Sequence, residues 1–202
     1  MLRVDHNIAE VRKGLSDMAR SQLPFATAEA INTTLGDIQK NETRRLPRAL
    51  DRPTSFTLKA FAILRASKRR AVGAVFAKDA QADYLKFAEE PQTRTPDGES
   101  LVVPVAQKRN KYGNMARGAL DRAQAGGKAF ASRRGGHLPP GIFQRVGGKR
   151  SRRLKMLAAF EPVARYTVKR LRFKVGAQKT ADAQFPRRFG EWLERAIRTA
   201  RK

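Results

Sequence analysis

The sequence predicts an α+β fold, with an N-terminal helix pair and a C-terminal helix packed on a mainly antiparallel β-sheet, and a long basic, glycine-rich excursion. Three observations predict it. Apolar residues recur at helical spacing near both ends of the 202-residue chain. The stretches between are rich in β-branched and aromatic residues over lengths that suit hairpins. Residues 107–140 lose that patterning and gain glycine and cations. The length suits one domain spanning 1–202, with 107–140 as an extended arm or loop inserted between strands.

The elements follow in order. Val4, Ile8, Val11, Leu15 and Met18 alternate spacings of four and three, which puts them on one face of a helix over roughly 4–20. The stripe reads as core, with a subunit contact as the alternative. Pro24 suits a first helical turn, and Ala28, Ile31, Leu35 and Ile38 carry a second helix over about 24–44, able to pair with the first as a hairpin. TSFTLKAFAILRAS and AVGAVFAK flank a turn-like KRR at 68–70 and predict two antiparallel strands. KDAQADYLKFAEE reads as a short helix, and SLVVPVA at 100–106 as a strand that Pro104 places at an edge. Within the arm, NMARGALDRAQ at 114–124 suits one short helix. GIFQRV and RLKMLAAF read as a hairpin turned by Gly147 and Gly148, and VARYTVKRLRFKV as an extended or strand-containing segment. The chain closes on a helix in ADAQFPRRFGEWLERAIRTARK. There Phe185, Phe189, Trp192, Leu193, Ala196 and Ile197 form the apolar stripe, Pro186 lies in the first turn, and Arg195, Arg198, Arg201 and Lys202 suit the C-terminal end of the helix dipole.

Charge narrows the partners. The chain has 43 Lys and Arg against 18 Asp and Glu, a net charge of +25, so free copies repel one another and are drawn to nucleic acid, anionic lipid or acidic proteins. From Lys108 to Lys155 there are fourteen cations and a single acid, Asp121, more than solubility requires. Arg117, Arg122, Lys128, Arg133, Arg134, Lys149, Arg150, Arg152 and Arg153 are the candidate partner- or DNA-binding residues, with Tyr112 beside them. Acidic protein neighbours and nucleic acid remain equal readings at this point. No helix-turn-helix, zinc finger or RNP-type aromatic pair interrupts the stretch, so sequence-specific recognition is not indicated.

Enzyme motifs are missing. A P-loop requires GxxxxGK[ST], but Gly148-Lys149 is followed by Arg150 and the position five before Gly148 is Phe143. His6 and His137 have no second histidine at ligand spacing, and no serine lies in G-x-S-x-G. The chain has no cysteine, which removes disulfides and thiolate metal sites. No apolar run approaches the ~18 residues of a membrane span, and the charged N-terminus MLRVDHNIAEVRKGL lacks the apolar stretch of a signal peptide. The expectation is a protein without catalytic residues, cofactor, metal or membrane.

Taken together, several segments resemble the tail completion and minor tail protein Z group of tailed bacteriophages. These are ATAEAINTT in the second helix, GIFQRVGG with the apolar strand after it, ARYTVKRLRF, and the closing FPRRFGEWLERAI. The longest similar stretch is FATAEAINTTLGDIQKNETRRLPRALDRPTSFTLKAF, which in such proteins leads from an alanine-rich helix through a basic turn into the first long strand. The resemblance implies a structural protein of the virion neck or tail, assembled in the host cytoplasm. It implies a homo-oligomeric ring on portal, adaptor or tail-tube proteins, with non-specific contact with packaged DNA among its consequences. It carries no catalytic residues. The alternative reading is a general nucleic-acid-binding protein of ribosome-associated or nucleoid type.

Overall fold

The first described element is a long helix, α1 (Leu23–Ala49), whose sequence LPFATAEAINTTLGDIQKNETRRLPRA is mostly small or polar. The computed structural model describes residues 22–133, 135–148, 151 and 153–200. The helix predicted over 4–20 lies outside these residues. Small residues matter in α1 because it is enclosed: from Pro24 to Gln39 every residue is at least half-buried, and Ala26, Ala28 and Ala30 are fully so. Close approach on several sides also explains why the observed helix runs past the predicted end near 44. Leu46 has no exposed surface, so the last turn is drawn into the core despite Pro47.

By their internal contacts, residues gather into two compact units where the sequence suggests one domain. One comprises the described parts of 1–48, 55–84 and 171–202, and the other comprises 49–54 and 85–170. The first unit is helices on a hairpin. After α1 come α2 (Ser55–Leu58), β1 (Phe61–Leu64), β2 (Ala74–Ala77), the start of α3 (Asp79–Glu89) and, at the end of the chain, α5 (Phe173–Ala200). β1 and β2 pair antiparallel from Phe61↔Ala77 to Leu64↔Ala74, and Ser67 and Arg70 close the turn through reciprocal backbone bonds of 2.9 and 3.0 Å, where KRR predicts it. Asn32 fastens the hairpin to α1: its amide donates to the Ala66 carbonyl and its oxygen accepts from the Ala66 N–H. Gln39 adds a single bond, its Nε2 donating to the Phe61 carbonyl at 2.8 Å.

Ser55–Leu58, predicted as strand, is a turn of helix. Its polar groups are taken up locally: Gln81 Nε2 donates to the Phe56 carbonyl, and the hydroxyls of Thr57 and Tyr84 share a bond of 3.0 Å. These α3 partners curl the chain where propensity alone favours extension.

Helix α5 also departs from expectation. It begins at Phe173, so Pro186 sits in its interior and not in its first turn. Interior proline costs about 3 kcal/mol, and packing of the preceding residues offsets it. Phe173 stacks on Phe61 at 5.0 Å, Asn41 bonds Thr180, and Arg45 Nη2 donates to the Leu171 carbonyl just before the helix. Farther along, Arg188 bridges Asp37 at 2.9 Å and Glu191 at 3.0 Å, and these carboxylates, Glu191 first, raise its guanidinium above the ordinary value. Trp192 Nε1 then reaches Thr33. The partners ascend one helix as they descend the other, so α1 and α5 are antiparallel neighbours.

At Gly176 the backbone of α5 makes room for two α1 side chains. A Cβ there would overlap the Arg45 guanidinium and the Glu42 carboxylate. Glycine-to-alanine inside a helix ordinarily stabilises by up to about 1 kcal/mol. Gly176→Ala is expected to reverse that sign and destabilise by about 2 kcal/mol through overpacking, measured as a lower midpoint in urea.

The second unit is mainly sheet. It holds the end of α3, β3 (Gln92–Arg94), β4 (Leu101–Pro104), α4 (Ala119–Ala125), β5 (Ala129–Ser132), β6 (Gly141–Val146), β7 (Arg153–Glu161) and β8 (Ala164–Tyr166). β3 and β8 form a two-stranded ladder beside a Phe87–Tyr166 ring pair at 5.2 Å. The other four strands make one antiparallel sheet in the order β4-β7-β6-β5, which places Pro104 on an edge strand as predicted. GIFQRV and RLKMLAAF form the predicted hairpin, with a register shift between Ile142 and Phe143 that makes Leu157 an extra residue of β7. Its carbonyl accepts from the N–H groups of both Val105 and Gln107, so the irregularity anchors the chain leaving β4.

The arm expected over 107–140 is more ordered than its composition suggests. The short helix is there as α4, shifted a few residues along, but Ala129–Ser132 is a strand of the sheet. The reason is apolar burial: Leu120 and Ala123 of α4 pack against Ala129, Ile142 and Leu157. Two helix contacts and one strand ladder suffice to order a segment whose remaining residues are mostly exposed.

Candidate functional site

The candidate surface is built at one end of the four-stranded sheet, around the turn of the β6–β7 hairpin. Gly147 has φ +94°, and a Cβ there would overlap the Ser151 carbonyl, so the turn requires glycine. Ser151 N–H donates to the Gly148 carbonyl at 3.1 Å and closes it. Pairing then sets the cations. Arg145 lies opposite Leu154, Val146 opposite Arg153 and Gln144 opposite Lys155. On the other side of β6, Gln144 faces Ala129, and Arg145 N–H donates to the Lys128 carbonyl at 2.8 Å.

Lys128, Arg145, Arg153 and Lys155 therefore share this end of three adjacent strands, all exposed. Strand alternation divides them. Arg145 shares its face with Phe130, Phe143 and Met156, and its guanidinium lies 4.4 Å from the Phe130 ring centre. Arg153 and Lys155 emerge on the opposite face. Among the described residues, no carboxylate forms a salt bridge with any of the four.

The other candidates are dispersed. Arg117 and Arg122 meet beside α4, where Arg122 Nη1 donates to the Arg117 carbonyl at 3.0 Å. Arg133 follows Ser132, which pairs with Gly141, and so lies at the opposite end of β5 from Lys128. Arg134, Lys149, Arg150 and Arg152 lie outside the described residues, although Gly148, Ser151 and Arg153 flank the last three in sequence. Arg145 and Lys155 were not among the predicted site residues. Their signal is strand period, since both stand in apolar runs whose register places them beside Lys128 and Arg153.

Other chemistry is sparse. Among the described residues, no group of three or more His, Cys, Asp or Glu gathers to hold a metal ion, and no helix is long and apolar enough to cross a membrane. A depression of about 250 Å³ in the first unit is lined by Gln39, Lys40, Thr43 and Arg44 of α1. Two of its four residues are cations, and it contains no nucleophile–base pair. Set against known proteins, the chain matches no protein-family model, no curated protein and no solved structure.

Proposed function

We propose that this chain is a structural virion protein of a tailed bacteriophage, a tail completion or head–tail joining component that forms a ring and docks on connector or tail proteins. The observation that carries the reading is the order of the segments that resemble that family. FATAEAINTT falls on the enclosed helix α1, GIFQRVGG and the strand after it on the β6–β7 hairpin, ARYTVKRLRF on β8 and the chain leading to α5, and FPRRFGEWLERAI on α5 itself. The charge supports the same reading. A chain of +25 needs anionic neighbours in its working state, and a sixfold ring would carry about +150. In this reading there is no catalytic site, and the cations of the sheet end serve docking.

The second reading, a general nucleic-acid-binding protein, is favoured by the absence of acids over most of 100–160. The two differ in where the protein is found. Mass spectrometry of purified virions from the encoding phage or prophage is expected to detect the chain at a stoichiometry of a few to a dozen or so copies, as a closed ring requires. Its absence from virions that assemble normally would eliminate the neck assignment and leave the second reading.

A further inference from the structure

We infer that the end of the four-stranded sheet carrying Lys128, Arg145, Arg153 and Lys155 binds the phosphate backbone of duplex DNA without reading its sequence. This deepens the proposed function and rests on it for the source of the DNA.

The first ground is charge. Four exposed cations from three adjacent strands have no salt-bridging carboxylate among the described residues. Arg145 lies on one face of the strand end and Arg153 and Lys155 on the other, so the cations flank both sides of an end that three strands about 4.8 Å apart make roughly 10 Å wide. Duplex DNA carries one negative charge per about 1.7 Å of axis with both strands counted, so about 10 Å of it holds on the order of six phosphates, enough to supply one to each of the four cations.

The second ground is what this surface lacks. Single-strand binding draws much of its affinity from bases stacked on open aromatic rings. Here Phe143 is buried and Phe130 is covered by the Arg145 guanidinium. Base reading needs an element that enters the major groove, whereas α4 has seven residues and spends Leu120 and Ala123 on the sheet. An acidic protein partner would bring an apolar interface centre inside its charged rim. The strand end offers Leu154, 49% exposed, between cations, which makes a poor centre. Phosphate contact is the mode left.

Four phosphate contacts give weak binding for one subunit, in the range of about 10⁻⁴ to 10⁻⁶ M at physiological salt. A ring of copies around one duplex would strengthen it by linkage and need no further contact.

The test is a salt titration of the full chain with a short duplex, followed by fluorescence anisotropy. Lys128→Ser, Arg145→Ser, Arg153→Ser and Lys155→Ser are combined in one variant. Lys59→Ser, Lys78→Ser, Arg187→Ser and Arg198→Ser, all exposed and in the other unit, make a variant of equal charge. Four lost contacts should reduce the log–log salt slope by about 3.6, and should remove about 100-fold of the affinity change between ~50 and ~200 mM salt. The charge-matched variant should keep most of the slope. Circular dichroism on both variants checks that each still melts cooperatively. Equal loss in the two variants means diffuse attraction and overturns the site. Tighter binding of polyglutamate than of duplex at matched charge places an acidic protein there and overturns the DNA assignment. The result is independent of virion content: a failed site leaves a chain found in virions as a neck protein, and a chain absent from virions leaves a confirmed site to the nucleic-acid reading.

Discussion

Trp192→Ala is expected to destabilise the first unit by about 3 kcal/mol, lowering its melting midpoint by roughly 6–12 °C for a chain of this size. Three contacts converge on the ring. Phe25 meets it edge-on at 6.0 Å with planes at 87°, Arg195 lies 5.0 Å over its face, and its Nε1 donates to Thr33 Oγ1 at 2.9 Å. Phe25 opens α1 and Trp192 lies in the second half of α5, so the ring joins the two helices at one end of their antiparallel contact. The truncation removes the largest side chain there and leaves a cavity the enclosed α1 is poorly placed to fill. Trp192→Phe separates the components. It keeps most of the packing and deletes the hydrogen bond to Thr33, for a loss of about 1 kcal/mol. If calorimetry gave less than about 1 kcal/mol for Trp192→Ala, the ring would be a surface group and the junction would have to rest on the Arg188–Asp37 pair and the Asn41 and Arg45 contacts.

What could be read in advance follows from where each signal resides. The apolar period of Ala28, Leu35 and Ile38 is local, so α1 was legible, and all three are buried. The β6–β7 hairpin was legible for the same reason, because two apolar runs and a glycine pair lie within twenty residues. Elements held by distant partners were not. The first two turns of α5 form because Phe61, Asn41 and Arg45 wait for them more than a hundred residues earlier, and no local pattern overrides Pro186. Likewise, Ser55–Leu58 curls for Gln81 and Tyr84, and β3, three residues long, exists as a partner for β8. The candidate site divides in the same way. Composition located the basic region, but only register brings Arg145 and Lys155 to Lys128 and Arg153 while sending Arg133 to the far end of β5. Charge density is a property of a segment, whereas a binding surface is a property of a sheet.

Arg45→Met is expected to cost about 3 kcal/mol, an effect as large as that of Trp192→Ala. Glu42 is fully buried on α1, and Arg45 Nη1 lies 2.8 and 2.9 Å from its two carboxylate oxygens. The same guanidinium donates from Nη2 to the Leu171 carbonyl at 2.9 Å, so it ties the ion pair to the chain entering α5. Gly176 leaves room for both. Methionine keeps much of the stem's volume and removes the charge, which leaves a carboxylate in the core without its guanidinium and a backbone carbonyl without that donor. The asymmetry of buried pairs then makes a second, sharper expectation. Adding Glu42→Gln to Arg45→Met removes the buried charge and should recover more than half of the loss, although each substitution alone destabilises. Thermal unfolding of the two single variants and the double variant closes the cycle. Additive losses would mean that the carboxylate is stabilised chiefly by groups other than Arg45, and the pair would then be an accessory to the α1–α5 contact. A rescued double variant makes it the fastening that holds Phe173 and the early turns of α5 on α1, and with them the helical start that Pro186 would otherwise forbid.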